Sequence, residues 1–87
     1  MFRLKILETA EKDLGRLDKE IARLVLKRLK WLAENYASLT PISLKGELRE
    51  FSKFRIGDYR ALYSVDMEGG ILIVHYVRHR REIYKDK

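Results

Sequence analysis

The chain has 87 residues, 46% of them hydrophobic and 37% charged, with no cysteine and two histidines. That length supports one domain with one core, burying only about 60% of the surface its unfolded chain would expose. Without cysteine there is neither a disulfide framework nor a cysteine-ligated zinc site, and two histidines do not make a His-rich metal site. The formal net charge of +6 points to a polyanionic partner, nucleic acid first. No apolar run approaches the roughly 18–20 residues of a membrane span, and Phe2–Leu7 is broken by Arg3 and Lys5. No signal peptide is therefore expected, and a cytoplasmic location follows.

Residues 2–7 read as a strand, because Phe2, Leu4 and Ile6 alternate with Arg3 and Lys5. Thr9 is placed to cap a first helix, with Glu11 and Asp13 in the first turn against the positive end of the helix dipole. Ala10, Leu14 and Leu17 form a short apolar stripe, and Gly15 keeps this helix short. Asp18 is placed to cap a second, longer helix. On it Ile21, Ala22, Val25, Leu26, Leu29, Leu32, Ala33 and Tyr36 share one face, with Arg23, Lys27, Lys30 and Glu34 opposite. Leu24 and Trp31 flank that stripe and are expected to pack against the first helix; an exposed edge that docks a partner is the alternative. Pro41 and Gly46 mark residues 38–47 as the long connection.

From Leu48 onward the pattern changes to strands, with candidates at residues 49–56, 59–66 and 70–78. Gly57-Asp58 and Glu68-Gly69-Gly70 are hairpin-type connections, and residues 80–85 can form a short terminal helix. The order β-α-α-β-β-β gives an α+β fold, a two-helix hairpin packed on one face of an antiparallel sheet, in a single domain spanning residues 1–87.

Alternation sorts the last three strands into two faces. One parity collects Phe54, Ile56, Ala61, Tyr63, Val65, Ile71, Ile73, His75 and Val77, an apolar set expected beneath the helices, which makes His75 a buried core histidine. The other parity collects Lys53, Arg55, Arg60, Tyr76 and Arg78, so cations from three adjacent strands converge on the face away from the helices. Leu62, Leu72 and Val74 share that parity and are expected to leave an apolar seam for the terminal helix or a partner to cover. A surface that serves only solubility mixes both signs of charge, whereas the inner stretch of this face carries no Asp or Glu, and anion binding follows. His79 lies just beyond the last strand, among Arg78, Arg80 and Arg81, and is either a candidate acid or base or simply exposed.

Three segments carry a resemblance to a known family: Leu44-Lys45-Gly46; Phe54-Arg55-Ile56-Gly57-Asp58-Tyr59-Arg60-Ala61-Leu62-Tyr63; and Val77-Arg78-His79-Arg80-Arg81-Glu82-Ile83-Tyr84. Together with the opening strand and helical hairpin they resemble the RelE/ParE toxin superfamily. The resemblance implies a toxin of a type II toxin–antitoxin system. RelE-like members cleave messenger RNA in the ribosomal A site without metal, and the terminal Tyr84 favours that side; ParE-like members poison DNA gyrase. By position, the family's catalytic groups fall on Lys53, Arg55, Arg60, Arg78 or Arg80, and Tyr84, with Lys45, Arg49, His79 and Arg81 as substrate-binding candidates. One departure is that Phe51 stands where a second Lys is usual.

The implied reaction has the 2′-OH attack the adjacent phosphate. Arg60, Arg55 and Arg78 or Arg80 stabilise the phosphorane charge, Lys53 is the candidate base, and Tyr84 stacks on a base or orients the 2′-OH. Free Lys, Tyr and Arg side chains titrate near or above about 10, so alignment supplied by the ribosome is expected to carry much of the catalysis. The expected partners are a RelB-like antitoxin with an acidic, amphipathic segment, the ribosome and messenger RNA, with a hetero-oligomer formed with the antitoxin and no cofactor. A gyrase inhibitor and a catalytically weak RNA- or ribosome-binding homologue are the alternatives.

Overall fold

The computed structural model describes the backbone of residues 2–38, 42–43 and 51–85 and the side chains of residues 2–38 and 51–82. The elements are β1 (Arg3–Ile6), α1 (Glu8–Gly15), α2 (Lys19–Asn35) with a 3-10 turn at Tyr36–Ser38, β2 (Ile42–Ser43), β3 (Ser52–Ile56), β4 (Tyr59–Asp66), β5 (Ile71–His79) and α3 (Arg80–Lys85). They form a five-stranded sheet in the order β1-β5-β4-β3-β2. The sheet is mixed rather than antiparallel, because β1 runs parallel to β5 while the other pairs are antiparallel.

The two-residue turn Gly57-Asp58 joins β3 to β4 with Ile56 paired to Tyr59. Gly57 takes φ +58°, the left-handed value demanded at the first position of a hairpin turn that matches strand twist. That turn sets the register Arg55↔Arg60, Phe54↔Ala61 and Lys53↔Leu62. Phe54, Ile56, Ala61 and Tyr63 therefore face the helices, as alternation predicts. Val25, Leu29, Leu32 and Ala33 of α2 complete this core, each at most 3% exposed. Tyr63 is 2% exposed and meets Tyr36 edge-on at 6.1 Å. Burial, and after it the neighbouring Tyr36, push its phenol up to about 12, against a lowering by a hydrogen bond with Ser52.

The β4–β5 pair departs from simple alternation. Leu62 pairs with Tyr76, but Tyr63 pairs with Val74, leaving His75 as an extra residue. Such a bulge inverts the facing of everything beyond it. Leu72 and Val74, expected on the outer seam, are 0% exposed and lie in the core. Ile71 and Ile73 take the outer face instead, paired with Asp66 and Ser64. His75 is not a core histidine. Its Nε2 shares a 2.7 Å hydrogen bond with Ser64 Oγ, and its ring meets Phe51 at 4.6 Å, both on the outer face. The apolar seam of Leu62, Leu72 and Val74 therefore does not exist as a surface; Leu62 alone keeps that facing, and it is 4% exposed.

β1 covers β5 only from Ile71 to Val74. Beyond that point α1 runs along the strand edge and satisfies its backbone groups. Leu7 N–H donates to Val74 O at 3.0 Å, Thr9 Oγ1 donates to His75 O at 2.6 Å, and Val77 N–H donates to the Asp13 carboxylate at 2.9 Å. Thr9 is thus a strand clasp rather than the helix cap its position predicts; Leu7 occupies the cap position. Asp18 does precede α2, without a side-chain capping bond. Leu24 and Trp31 stay exposed instead of packing on α1, since α1 is committed to the far edge of β5.

Candidate functional site

The outer face carries a row of arginines. Arg55 of β3 pairs with Arg60 of β4, which pairs with Arg78 of β5. Directly opposed residues on adjacent strands have Cβ atoms about 5 Å apart, and like charges so placed repel. Each guanidinium is held differently. Arg60, in the middle, is 7% exposed and turns toward the hairpin, its Nη1 donating to Gly57 O at 3.0 Å and to Tyr59 O at 2.9 Å. Arg78 turns toward α1, where its Nε donates to Asp13 Oδ2 at 3.2 Å, and its guanidinium lies 4.7 Å from the Tyr76 ring centroid. Arg55 is exposed.

One row further from the turn, Lys53 pairs with Leu62 and Leu62 with Tyr76. Phe51, at the position where the family pattern has a second Lys, sits among the rings of His75 and Tyr76, with centroids at 4.6 and 6.3 Å. Burial holds His75 below its usual 6.5, which keeps the ring neutral near pH 7. A cationic end next to the hairpin turn thus grades into an aromatic middle. The cationic end suits phosphate oxygens, because forked donors match them in geometry and charge.

α3 begins at that same end. Arg80 N–H donates to Asp58 O in the hairpin turn at 2.8 Å. His79 acts as the helix cap: its Nδ1 accepts from Arg81 N–H at 3.2 Å, while Glu82 accepts from His79 N–H at 3.0 Å, the reciprocal pattern of a capping box. His79 pairs with Tyr59 and its ring meets that of Tyr59 at 5.3 Å, so alternation puts it on the sheet face away from Arg60 and Arg78.

Of the sequence-predicted residues, the structure brings together Lys53, Arg55, Arg60 and Arg78 on one face, and starts α3 with Arg80 and Arg81 beside their turn. It does not bring His79 to the row. Lys45, Arg49 and the side chain of Tyr84 lie outside the described residues. Asp13 is the residue that sequence reasoning missed. Read as a first-turn acid, it is a 6% exposed carboxylate that fixes both Val77 N–H and Arg78. Its partners are 64 and 65 residues away, a distance no local pattern encodes.

A helical layer on a mixed sheet is the architecture of RelE/ParE-type toxins. The family model described as ParE toxin of type II toxin–antitoxin system, parDE, matches residues 4–84. The chain belongs to that family, and is a toxin of the type II toxin–antitoxin class. Among solved structures, the RelBE2 toxin–antitoxin complex of Mycobacterium tuberculosis is similar at 28% identity and a TM-score of 0.81, over 91% of this chain and 98% of that one. The isolated Escherichia coli RelE toxin matches at 23% identity and a TM-score of 0.74, over 99% and 94% of the two chains. The archaeal RelE–RelB complex of Pyrococcus horikoshii matches at 23% and 0.66, over 91% and 94%. The latter two likenesses are of fold. A comparison with curated protein sequences finds no match.

Proposed function

We propose that this toxin is a ribosome-dependent endoribonuclease that cleaves messenger RNA in the A site by metal-free attack of a 2′-OH on the adjacent phosphate. The observation that carries this reading is the register row Arg55–Arg60–Arg78, with Lys53 one row behind it. Arg60 is pre-set by its two carbonyl acceptors and Arg78 by Asp13, so neither needs to reorganise as charge develops on the phosphorane. Arg55, exposed, meets the incoming phosphate first. Lys53, acting from its neutral form, takes the 2′-OH proton as the O2′–P bond forms. As the P–O5′ bond breaks, the departing 5′-oxygen takes up a proton from solvent while Arg80, at the start of α3 beside the same turn, balances the phosphorane charge, and Tyr84 stacks on a base or orients the 2′-OH. The antitoxin, the ribosome and messenger RNA are the partners of this reading, and the cytoplasm its location. Among the described residues no helix is long and apolar enough to cross a membrane.

The match to a family described as ParE favours a second reading, inhibition of DNA gyrase by the same face. Primer extension on messenger RNA from induced cells separates the two. The ribonuclease reading expects breaks phased to the A site, whereas intact messages alongside growth arrest reject it in favour of the gyrase reading.

A further inference from the structure

The outer face holds a ring cluster that the arginine row does not use. Phe51, just ahead of β3, sets its ring 4.6 Å from that of His75 and 6.3 Å from that of Tyr76, with 61° and 83° between the planes. All three residues are half-buried. The bulge builds this cluster: His75 is its extra residue, and a bulge re-aims a side chain that regular alternation would send to the other face. His75 is then fixed at two points. Its Nε2 shares a hydrogen bond with Ser64 Oγ at 2.7 Å, and its backbone carbonyl accepts from Thr9 Oγ1 at 2.6 Å. An edge-on pair uses only the rim of one ring, so the faces of that ring remain unused by its neighbour. Leu62, 4% exposed, supplies an apolar floor in the row Lys53–Leu62–Tyr76. Covering Leu62 needs only an apolar side chain; it needs neither three rings nor a histidine tied down by a serine.

We propose that Phe51, braced by His75 and Tyr76, stacks on a base of the single-stranded RNA whose phosphate the arginine row holds. The proposal deepens the ribonuclease reading and rests on it. The row Lys53–Leu62–Tyr76 lies two residues, about 7 Å, from the row Arg55–Arg60–Arg78, so the rings flank the phosphate site instead of covering it. Neither row contains an acidic residue. A cationic track beside aromatic rings is the combination that holds single strands: the charges take the backbone and the ring faces take the bases. Arg78 joins the two parts, since its guanidinium lies 4.7 Å from the Tyr76 ring centroid. A duplex fits worse, because its bases stack on one another and turn only their edges outward. The contact tolerates any base, every base having a π face. Phe51 has no proton to give or take, so it acts by positioning the nucleotide beside the cleaved bond. At the place where the family pattern has Lys, a ring that grips a base replaces a charge that pulls on phosphate.

The test uses purified ribosomes and one messenger RNA carrying uridine or dihydrouridine at each nucleotide beside the cleaved bond. Dihydrouridine keeps the polar edge of uridine, but its saturated ring is not flat and cannot stack. Wild-type cleavage is expected to slow roughly tenfold or more when dihydrouridine replaces uridine at one of these positions, the usual size of a base–aromatic stack. Phe51→Leu keeps an apolar cover over Leu62 and is expected to melt as the wild type does. It is expected to cleave the uridine message more slowly by a similar factor, and to be indifferent to dihydrouridine at that position. Phe51→Trp is expected to restore both the rate and the sensitivity. Three results overturn the proposal and leave the ribonuclease reading in place: a wild type equally fast on every message, a Phe51→Leu variant that matches the wild type in rate or keeps its sensitivity at every position, or a Phe51→Trp variant that behaves like Phe51→Leu. Messages left intact by the wild type reject the ribonuclease reading, and this proposal with it, in favour of a protein target whose apolar side chains meet the rings.

Discussion

The two hairpins of the sheet obey different rules. In β3–β4 a two-residue turn sets an unbroken register, and alternation sorts every residue correctly. In β4–β5 one extra residue at His75 reverses the facing of all that lies between it and the Gly69-Gly70 end. Arg60 and Arg78 lie on the near side of the bulge, so the cationic row survives; Leu72 and Val74 lie beyond it, so the predicted seam becomes core. A functional face is legible in sequence only as far as its register is uninterrupted.

The largest expected effect lies on the near side. Arg60→Ala should lower messenger RNA cleavage roughly 10²–10³-fold, the usual cost of one charge-stabilising donor, measured as the cleavage rate on programmed ribosomes. Because Arg60 also holds the hairpin turn, its melting curve should be recorded alongside, and near-wild-type cleavage would remove it from the site. Beyond the bulge the contrast is one of stability. Leu72→Ala should cost about 2–5 kcal/mol in urea denaturation and Ile73→Ala clearly less, because only the former empties a core site. The reverse order would restore simple alternation.

Asp13→Ala should cost about 1–3 kcal/mol, because it strands Val77 N–H and frees Arg78, and it should reduce cleavage by less than Arg60→Ala. A wild-type midpoint would show that the strand edge does not need the carboxylate. The smallest effect belongs to the bulge residue itself. Burial holds His75 below 6.5 in the folded chain, so the unfolded chain takes up its proton first as pH falls. This contribution to stability is full above about 6.5 and declines as pH drops toward the folded value. Denaturation midpoints measured from pH 5 to 8 should rise with pH more steeply in the wild type than in His75→Gln, and identical slopes would show that the ring is not desolvated.

The rest of the fold was legible where chemistry is local and opaque where it is not. The Phe2, Leu4, Ile6 alternation, the stripe of α2 and the Gly57-Asp58 turn each encode their own element, and the RelE/ParE resemblance supplied their assembly. Thr9 has the residue type and position of a helix cap, yet its hydroxyl reaches the edge of β5 that β1 leaves uncovered. Trp31 carries no local sign that Phe54, rather than α1, is its neighbour. The candidate site follows the same division. Alternation alone assembles Lys53, Arg55, Arg60 and Arg78, while the carboxylate that steadies Arg78 enters from a helix far away in sequence.

Charge reversal at the two ends of the outer face tests the central claim most directly. Arg55→Glu lies in the row beside the hairpin turn, and Lys5→Glu lies beyond the bulge on the edge strand, paired with Ile73. Each variant would be added to purified ribosomes programmed with one messenger RNA, and the new 5′ ends mapped and timed. The account predicts that Arg55→Glu abolishes A-site cleavage while Lys5→Glu cleaves within a few-fold of the wild type. Cleavage retained by Arg55→Glu, or lost equally in both variants, would contradict it.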